Sequence, residues 1–458
     1  MARKVFISFL GANKYSPCSY YHSDEKGDFK SDEMSYIQVA TLDYLTSRET
    51  WTGDDLALIL LTKLSHDKNW MDNGHTDFKT NITIPSLGLE SCLCKRNYPM
   101  PIKPLENLPD GNNQDEILEI FQCLFEEIHE GDELYFDITH GFRYLPMLVL
   151  SLGNYAKFLR GATVKHITYG NFEGRDKATN EAQIMDLMSL SLLQDWTSAA
   201  ASFIRNGDAT QLAKLTKAEL SPILRSGDYN DLQSARTLNE LVKNLEKVTA
   251  DMMTCRGLNI ENAENISAMK RHLDNLQEVI IRPLKPIIDK VKDEFGDFNN
   301  SPDVMNGFHA AKWCIQHGLM QQATTIMQES VVSYFHKVYS HHITCKLLED
   351  RRDIISTALN ILADDTPESE WKLRKPEHLP QLKEVVQAFE QDREAYLVQH
   401  GDKQEHISTI YRTLATGLRN DINHNGMRNN PLKCTAIKTK TEELYNLIYT
   451  CLTAKAQR

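Results

Sequence analysis

Four short, strand-length runs constrain this chain more than anything else in it. They are Lys4–Leu10 (KVFISFL), Leu56–Thr62 (LALILLT), Glu133–Ile138 (ELYFDI) and Val164–Tyr169. Each has strand length and little apolar/polar alternation. Such a strand needs cover on both faces, as in a parallel sheet sandwiched between helices. The segments between the runs supply that cover. Tyr36–Ser47 reads as a helix. Gln114–His129 carries Ile117, Leu118, Phe121, Leu124, Phe125 and Ile128 at helical spacing. Arg143–Leu159 is apolar and helical. Residues 1–175 therefore predict an α/β domain of Rossmann-like layout.

After about residue 176 the strand-like runs stop and helical periodicity continues to the end. The stretch Gly170-Asn171-Phe172-Glu173-Gly174 is the expected boundary, and Gly207-Asp208 and Gly227-Asp228 punctuate the helices that follow. A second break falls between Phe295-Gly296 and Pro302. The expected organisation is thus 1–175 α/β, 176–300 a helical connecting region, and 301–458 a second, all-α domain. Within the last, residues 343–407 are highly charged and hold Pro367, Pro376 and Pro380, so they read as a helical insertion.

No apolar run approaches the ~20 residues that cross a bilayer. The apolar start runs into Gly11-Ala12-Asn13-Lys14 and Pro17, a strand and turn rather than a secretory leader. A cytoplasmic protein without membrane association is expected. The nine cysteines are scattered, with no CxxC pair; Cys92 and Cys94 are the closest two. Free thiols are expected rather than disulfides or a zinc site, and no metal site is predicted. His341-His342 has no second ligand pair at metal spacing. The net charge of −12 argues against bulk nucleic-acid binding. The charge is uneven, however: from Tyr411 to Arg458 eight Lys/Arg stand against three acids. That tail is either a confined RNA contact or a solvated basic helix face.

Two short segments carry chemistry. Asp137-Ile138-Thr139-His140-Gly141-Phe142-Arg143-Tyr144-Leu145-Pro146 lies where the third strand meets the next helix. In an open α/β sheet ligands bind beyond the carboxyl ends of strands. Gly141 permits a tight turn, the helix N-terminus suits phosphate, Thr139 and His140 supply donors, and Arg143 supplies a cation. Gly11-Ala12-Asn13-Lys14, after the first strand, falls on the same edge. With no GxGxxG and no P-loop, neither a dinucleotide cofactor nor ATP hydrolysis is supported. The residues alone allow a nucleotide pocket or a plain strand-to-helix turn.

The second segment is Leu418-Arg419-Asn420-Asp421-Ile422-Asn423-His424-Asn425-Gly426. A helix from about Ser408 is expected to stop at Asn425-Gly426. Five residues apart on a regular helix means faces about 140° apart. Arg419 and His424 therefore converge only if the turn is distorted or two chains pair. Metal-free RNA cleavage needs little more than these types. The ribose 2′-hydroxyl is the nucleophile, a guanidinium fork fits the phosphoryl oxygens, and an imidazole moves protons. The products would be a 2′,3′-cyclic phosphate and a free 5′-hydroxyl. The alternative is an exposed helix end with an Arg419–Asp421 salt bridge.

DITHGFRYLP, preceded by FISFLGANKY, resembles the CARF domain of CRISPR-associated proteins of type III systems. That resemblance implies a Rossmann-like homodimer that binds a cyclic oligoadenylate in a symmetric pocket. It would place Gly11, Asn13, Lys14, Thr139, His140, Gly141, Phe142 and Arg143 at the ligand. The C-terminal region, with the helical run Phe308–Phe335, is similar to HEPN ribonuclease domains, whose motif is Arg, a polar residue, then His. It would make Arg419, Asn420 and His424 catalytic. The order resembles CRISPR ancillary ribonucleases that cut single-stranded RNA. Their activator here would be cyclic tetra-adenylate first and cyclic hexa-adenylate second, with no cofactor for catalysis. The runner-up readings are a non-catalytic sensor that regulates a partner and a CARF domain that also degrades its activator. A transcription regulator lacks a compact basic recognition helix here. Trp313, Leu319, Ile326, Met327 and Val331 have helical spacing and read as core.

Overall fold

The apolar runs do become neighbouring strands. In the computed structural model, which describes residues 2–72, 75–77, 82–226, 229–276 and 281–456, the chain divides into two units, 1–195 and 196–458. The first contains β1 (Lys4–Leu10), β2 (Ser19–Asp24), β3 (Gly27–Lys30), β4 (Leu56–Thr62), β5 (His75–Asp77), β6 (Ile82–Ile84), β7 (Ile102–Leu108), β8 (Glu133–Asp137), β9 (Thr163–Gly170) and β10 (Glu181–Asp186). Eight of them form one sheet in the order β3-β2-β10-β9-β8-β1-β4-β7. From β7 through β9 every pairing is parallel. β10 runs antiparallel to β9, and β3 antiparallel to β2.

Successive residues of the central strands divide between two cores, as the pleat requires. Phe6, Leu10, Ala57, Ile59, Leu61 and Tyr135 pack on one face with Ile37, Leu42 and Leu45 of the helix Ile37–Arg48. Val5, Ile7, Phe9, Leu58, Leu60, Leu134 and Phe136 pack on the other. There they meet Ile120 and Leu124 of the helix Gln114–Glu127, and Leu148, Val149 and Leu152 of the helix Leu145–Leu159. Each fully buried Leu, Ile or Phe contributes about 1.5–3 kcal/mol relative to exposure. Reversing the face of any one strand would forfeit several such terms.

The topology has one switch point. The chain steps outward from β1 to β4 and β7 on one side, then from β8 to β9 on the other. The loops after β1 and β8 diverge there and leave a crevice.

The expected boundary at 175 is corrected by β10, which hydrogen-bonds back onto β9 and carries the first unit to residue 195. Among its described residues the second unit is helical apart from a hairpin, β11 (Leu397–His400) with β12 (Lys403–His406). A single core runs through it. Phe203, Leu238, Met269, Phe308, Trp313, Phe335, Phe389 and Tyr411 are all buried members. Ile354, Ile355, Leu382, Val385 and Tyr396 belong to that same core. Residues of the charged stretch 343–407 and of the stretch 196–300 both contribute to this core. Trp313, Ile326, Met327 and Val331 are core as expected, with Leu319 packed against them. Gly227-Asp228 and Arg458 lie outside the described residues. Among those described, no helix is long and apolar enough to cross a membrane.

Candidate functional site

In the first unit the switch point opens into a cavity of about 590 Å³. The expected residues Gly11, Asn13, Thr139, His140, Gly141 and Phe142 line it; Lys14 and Arg143 are exposed and stand outside its wall. Tyr15, Thr62, Asn112 and Tyr144 also line it, and none of them was singled out from sequence.

The two loops are built rigidly. Buried Asp137 ends β8 and accepts hydrogen bonds from Ser8 Oγ at 2.7 Å, Thr139 N at 3.1 Å and Thr139 Oγ1 at 2.5 Å. Thr139 Oγ1 accepts in turn from Gly170 N at 2.8 Å, so this hydroxyl is spent on fixing the loop. Burial raises the Asp137 carboxyl above its ordinary range, against the hydrogen bonds that lower it. Gly141 has φ +116°, and a Cβ there would lie 2.3 Å from Leu145 Cδ1. Pro146 falls in the first turn of the helix Leu145–Leu159, where no N–H partner is lost.

The loop after β1 is pinned by side chains. Tyr15 Oη accepts from Gly11 N at 2.8 Å. Asn69 Nδ2 donates to the carbonyls of Gly11 and Asn13 at 2.7 and 2.8 Å. The Tyr15 ring stacks on His140 with centroids 4.1 Å apart, joining the two loops. Burial lowers the His140 imidazole to about 4, so it is neutral at pH 7. Its Nε2 is buried and has no hydrogen-bond partner among the described residues. A buried polar atom left unmatched costs about 1–3 kcal/mol, and it calls for an explanation such as a ligand. Phe142 and Tyr144 stack 5.8 Å apart, with Phe142 half-exposed. The crevice thus offers aromatic faces, a neutral imidazole and backbone groups of two loops.

In the second unit the Arg419 segment departs from a regular helix. Ile407–Arg412 is α-helical, Thr413–Arg419 is wound as a π-helix, and Asn420–Asn423 returns to α. The end is a Schellman motif, with Asn425 N donating to Ile422 O at 3.1 Å and Gly426 N to Asp421 O at 2.8 Å. Asn425 takes φ +61° there, so the stop read from Asn425-Gly426 stands where expected. The distortion runs through Thr413–Arg419, and the turn that follows, Asn420–Asn423, is α; regular helix spacing across that turn sets positions 419 and 424 on separate faces.

The Arg419–Asp421 salt bridge does not form. Buried Asp421 faces Arg428 Nε at 3.6 Å and accepts from Leu432 N at 3.2 Å. Arg419 has no carboxylate within ion-pair distance among the described residues. Its Nη1 donates to Asn420 Oδ1 at 3.5 Å, and its Nε is buried with no partner among the described residues. His424 is exposed, at the helix end. A half-buried guanidinium with open donors is a ready anion receptor.

The first unit thus has a Rossmann-like sheet with its pocket at the switch point and a DITHG turn beside it. Residues 5–173 match the family described as CRISPR system endoribonuclease Csx1, CARF domain. The chain is also similar to the CRISPR-associated protein MJ1674 of Methanocaldococcus jannaschii, 26% identical over 195 residues. That match covers 41% of this chain and 28% of that protein's length. Among solved structures it is similar to Enterococcus italicus Csm6 bound to cyclic hexa-2'-fluoro-hexa-dAMP. The identity there is 12% and the TM-score 0.41, over 99% of this chain and 94% of that one.

Proposed function

We propose that this chain is a cytoplasmic, metal-independent endoribonuclease that cuts single-stranded RNA and is switched on by a cyclic oligoadenylate held in its CARF domain. The observation that carries the nuclease reading is Arg419: a half-buried guanidinium with an unmatched Nε and no acid partner among the described residues. Arg419 grips the scissile phosphate, His424 moves the proton of the 2′-hydroxyl or of the leaving oxygen, and Asn420 orients Arg419. The products are a 2′,3′-cyclic phosphate and a 5′-hydroxyl.

One Arg and one His are a thin set, and the α turn keeps them on different faces of one chain. Two copies therefore supply a composite site. An unpartnered apolar surface on the CARF domain favours a homodimer. Met147 and Phe158 on the helix Leu145–Leu159 are 72% and 69% exposed, with Tyr155 and Leu159 exposed on the same helix. Pairing that surface would bring two switch-point cavities into one ligand site. Gly11, Asn13, Lys14, Thr139, His140, Gly141, Phe142 and Arg143 of each copy meet the activator. Cyclic tetra-adenylate is the first choice and cyclic hexa-adenylate the second. Coupling requires that the activator bind one arrangement of the dimer more tightly than another.

The test is RNA cleavage in EDTA, with and without each cyclic oligoadenylate. Cleavage that appears only with an activator supports the reading. Activator binding without cleavage of any single-stranded RNA would leave a sensor that acts through a partner. The neutral imidazole of His140, facing the cavity, favours one additional activity, slow degradation of the activator itself. Chromatography of the cyclic oligoadenylate after incubation with His424→Ala protein would reveal linear products.

A further inference from the structure

The turn that carries Arg419 and His424 is not held by its own helix. Through Thr413–Arg419 the backbone bonds span five residues, with Asn420 N donating to Ala415 O. By His424 they span four again, with His424 N donating to Asn420 O at 2.9 Å. Where five-residue spacing hands over to four, one carbonyl loses its N–H partner, and a backbone acceptor left bare has to find another donor.

Arg428 meets that need from the loop beyond the helix. Its Nη1 donates to Thr416 O and to Gly417 O, each at 3.2 Å. Its Nε lies 3.6 Å from Asp421 Oδ1, and Asp421 Oδ2 accepts from Leu432 N at 3.2 Å. The Asp421 side chain is 3% exposed, so this end of the guanidinium is anchored in the protein. The left-handed residues Asn425 and Gly426 turn the chain back so that Arg428 reaches the preceding turns. One side chain therefore ties together the π-wound turn, the α turn and the following loop.

We infer that Arg428 is a positioning residue for the Arg419–His424 pair. It holds the extra residue of the π-wound turn in place and so sets the direction in which both side chains point. The scale follows from helix geometry. Expelling one residue from the turn would rotate everything beyond it by about 100° and move it by about 1.5 Å along the axis. Arg419 and His424 would both leave their present faces. The activity readout of this inference rests on the nuclease reading above; the structural readout does not.

The experiment compares full-length wild type, Arg428→Ala and Arg428→Lys. It measures activator-stimulated RNA cleavage, thermal midpoints, and the crystal structure of Arg428→Ala. Misplacing catalytic groups by about 1 Å can cost about a hundredfold. A rotation of about 100° displaces both groups by more than that, so the Ala variant should lose at least about a hundredfold in kcat. The Lys variant should recover most of the rate, because an ammonium can still donate to both carbonyls. The Ala structure should show regular α-helix through residues 413–423. An unchanged kcat, or a raised KM at unchanged kcat, would overturn the inference; the latter would mean that Arg428 touches RNA directly. So would a π-wound turn that survives in the Ala structure. A wild-type protein that cuts no RNA would sink the nuclease reading, while that structure would still decide the role of Arg428.

Discussion

His140 should meet the activator as a neutral imidazole, and pH can show it. Burial holds its titration near 4. Charging such a group at pH 7 spans about three pH units, which costs about 4 kcal/mol. A charge-assisted hydrogen bond to a phosphate returns about 1.5–3 kcal/mol. The cationic form therefore loses, and the ligand bonds through the unmatched Nε2 of the neutral ring. Affinity should therefore be flat with pH. The assay is titration calorimetry of the full chain with cyclic tetra-adenylate and cyclic hexa-adenylate. It is run at pH 6, 7 and 8 in pairs of buffers that differ in ionisation enthalpy. The expected result is a Kd constant within about twofold and no net proton uptake. A Kd that tightens about tenfold per unit of falling pH, with one proton taken up, would refute the reasoning.

Three further outcomes follow. Gly141→Ala forces a side chain onto φ +116° and against buried Leu145. It should destabilise the CARF unit by about 1–3 kcal/mol, visible as a lowered calorimetric transition; an unshifted transition would mean that the loop relaxes freely. His140 and His406 are both held neutral near 4 by burial. Their stabilising contribution is full above about 6.5 and lost as pH falls toward 4, so each unit should lose about 2 kcal/mol between pH 7 and 5; equal unfolding free energies at the two values would contradict that. Glu in place of both Met147 and Phe158, exposed on the helix Leu145–Leu159, should convert a dimer to a monomer in sedimentation analysis.

The sequence was legible where burial is two-sided. β1 and β4 are mostly apolar and buried because both faces are covered, and their runs mark them as strands. β2, β3, β7 and β10 escape notice because they lie toward the sheet's edges, with polar residues turned outward in SYYHSD, GDFK, IKPLENL and EAQIMD. The charged stretch 343–407 hides its core residues for the opposite reason. Ile354, Ile355, Leu382 and Phe389 bury one face of its helices, while the charges occupy the other. At the candidate sites, the glycine and the motif residues are local and could be read. Tyr15 against His140, Asn69 on the loop carbonyls and Arg428 on the π-wound turn are tertiary contacts, with nothing in the local sequence to announce them.

In the proposed function, activation and cleavage reside in different residues of one chain. The direct measurement puts wild type, Arg419→Ala and His424→Ala side by side in EDTA, with activator affinity from calorimetry and RNA cleavage from a labelled single strand. The account predicts unchanged activator affinity in all three, with cleavage in wild type alone. Cleavage that persists in His424→Ala, or that disappears together with activator binding, would contradict it.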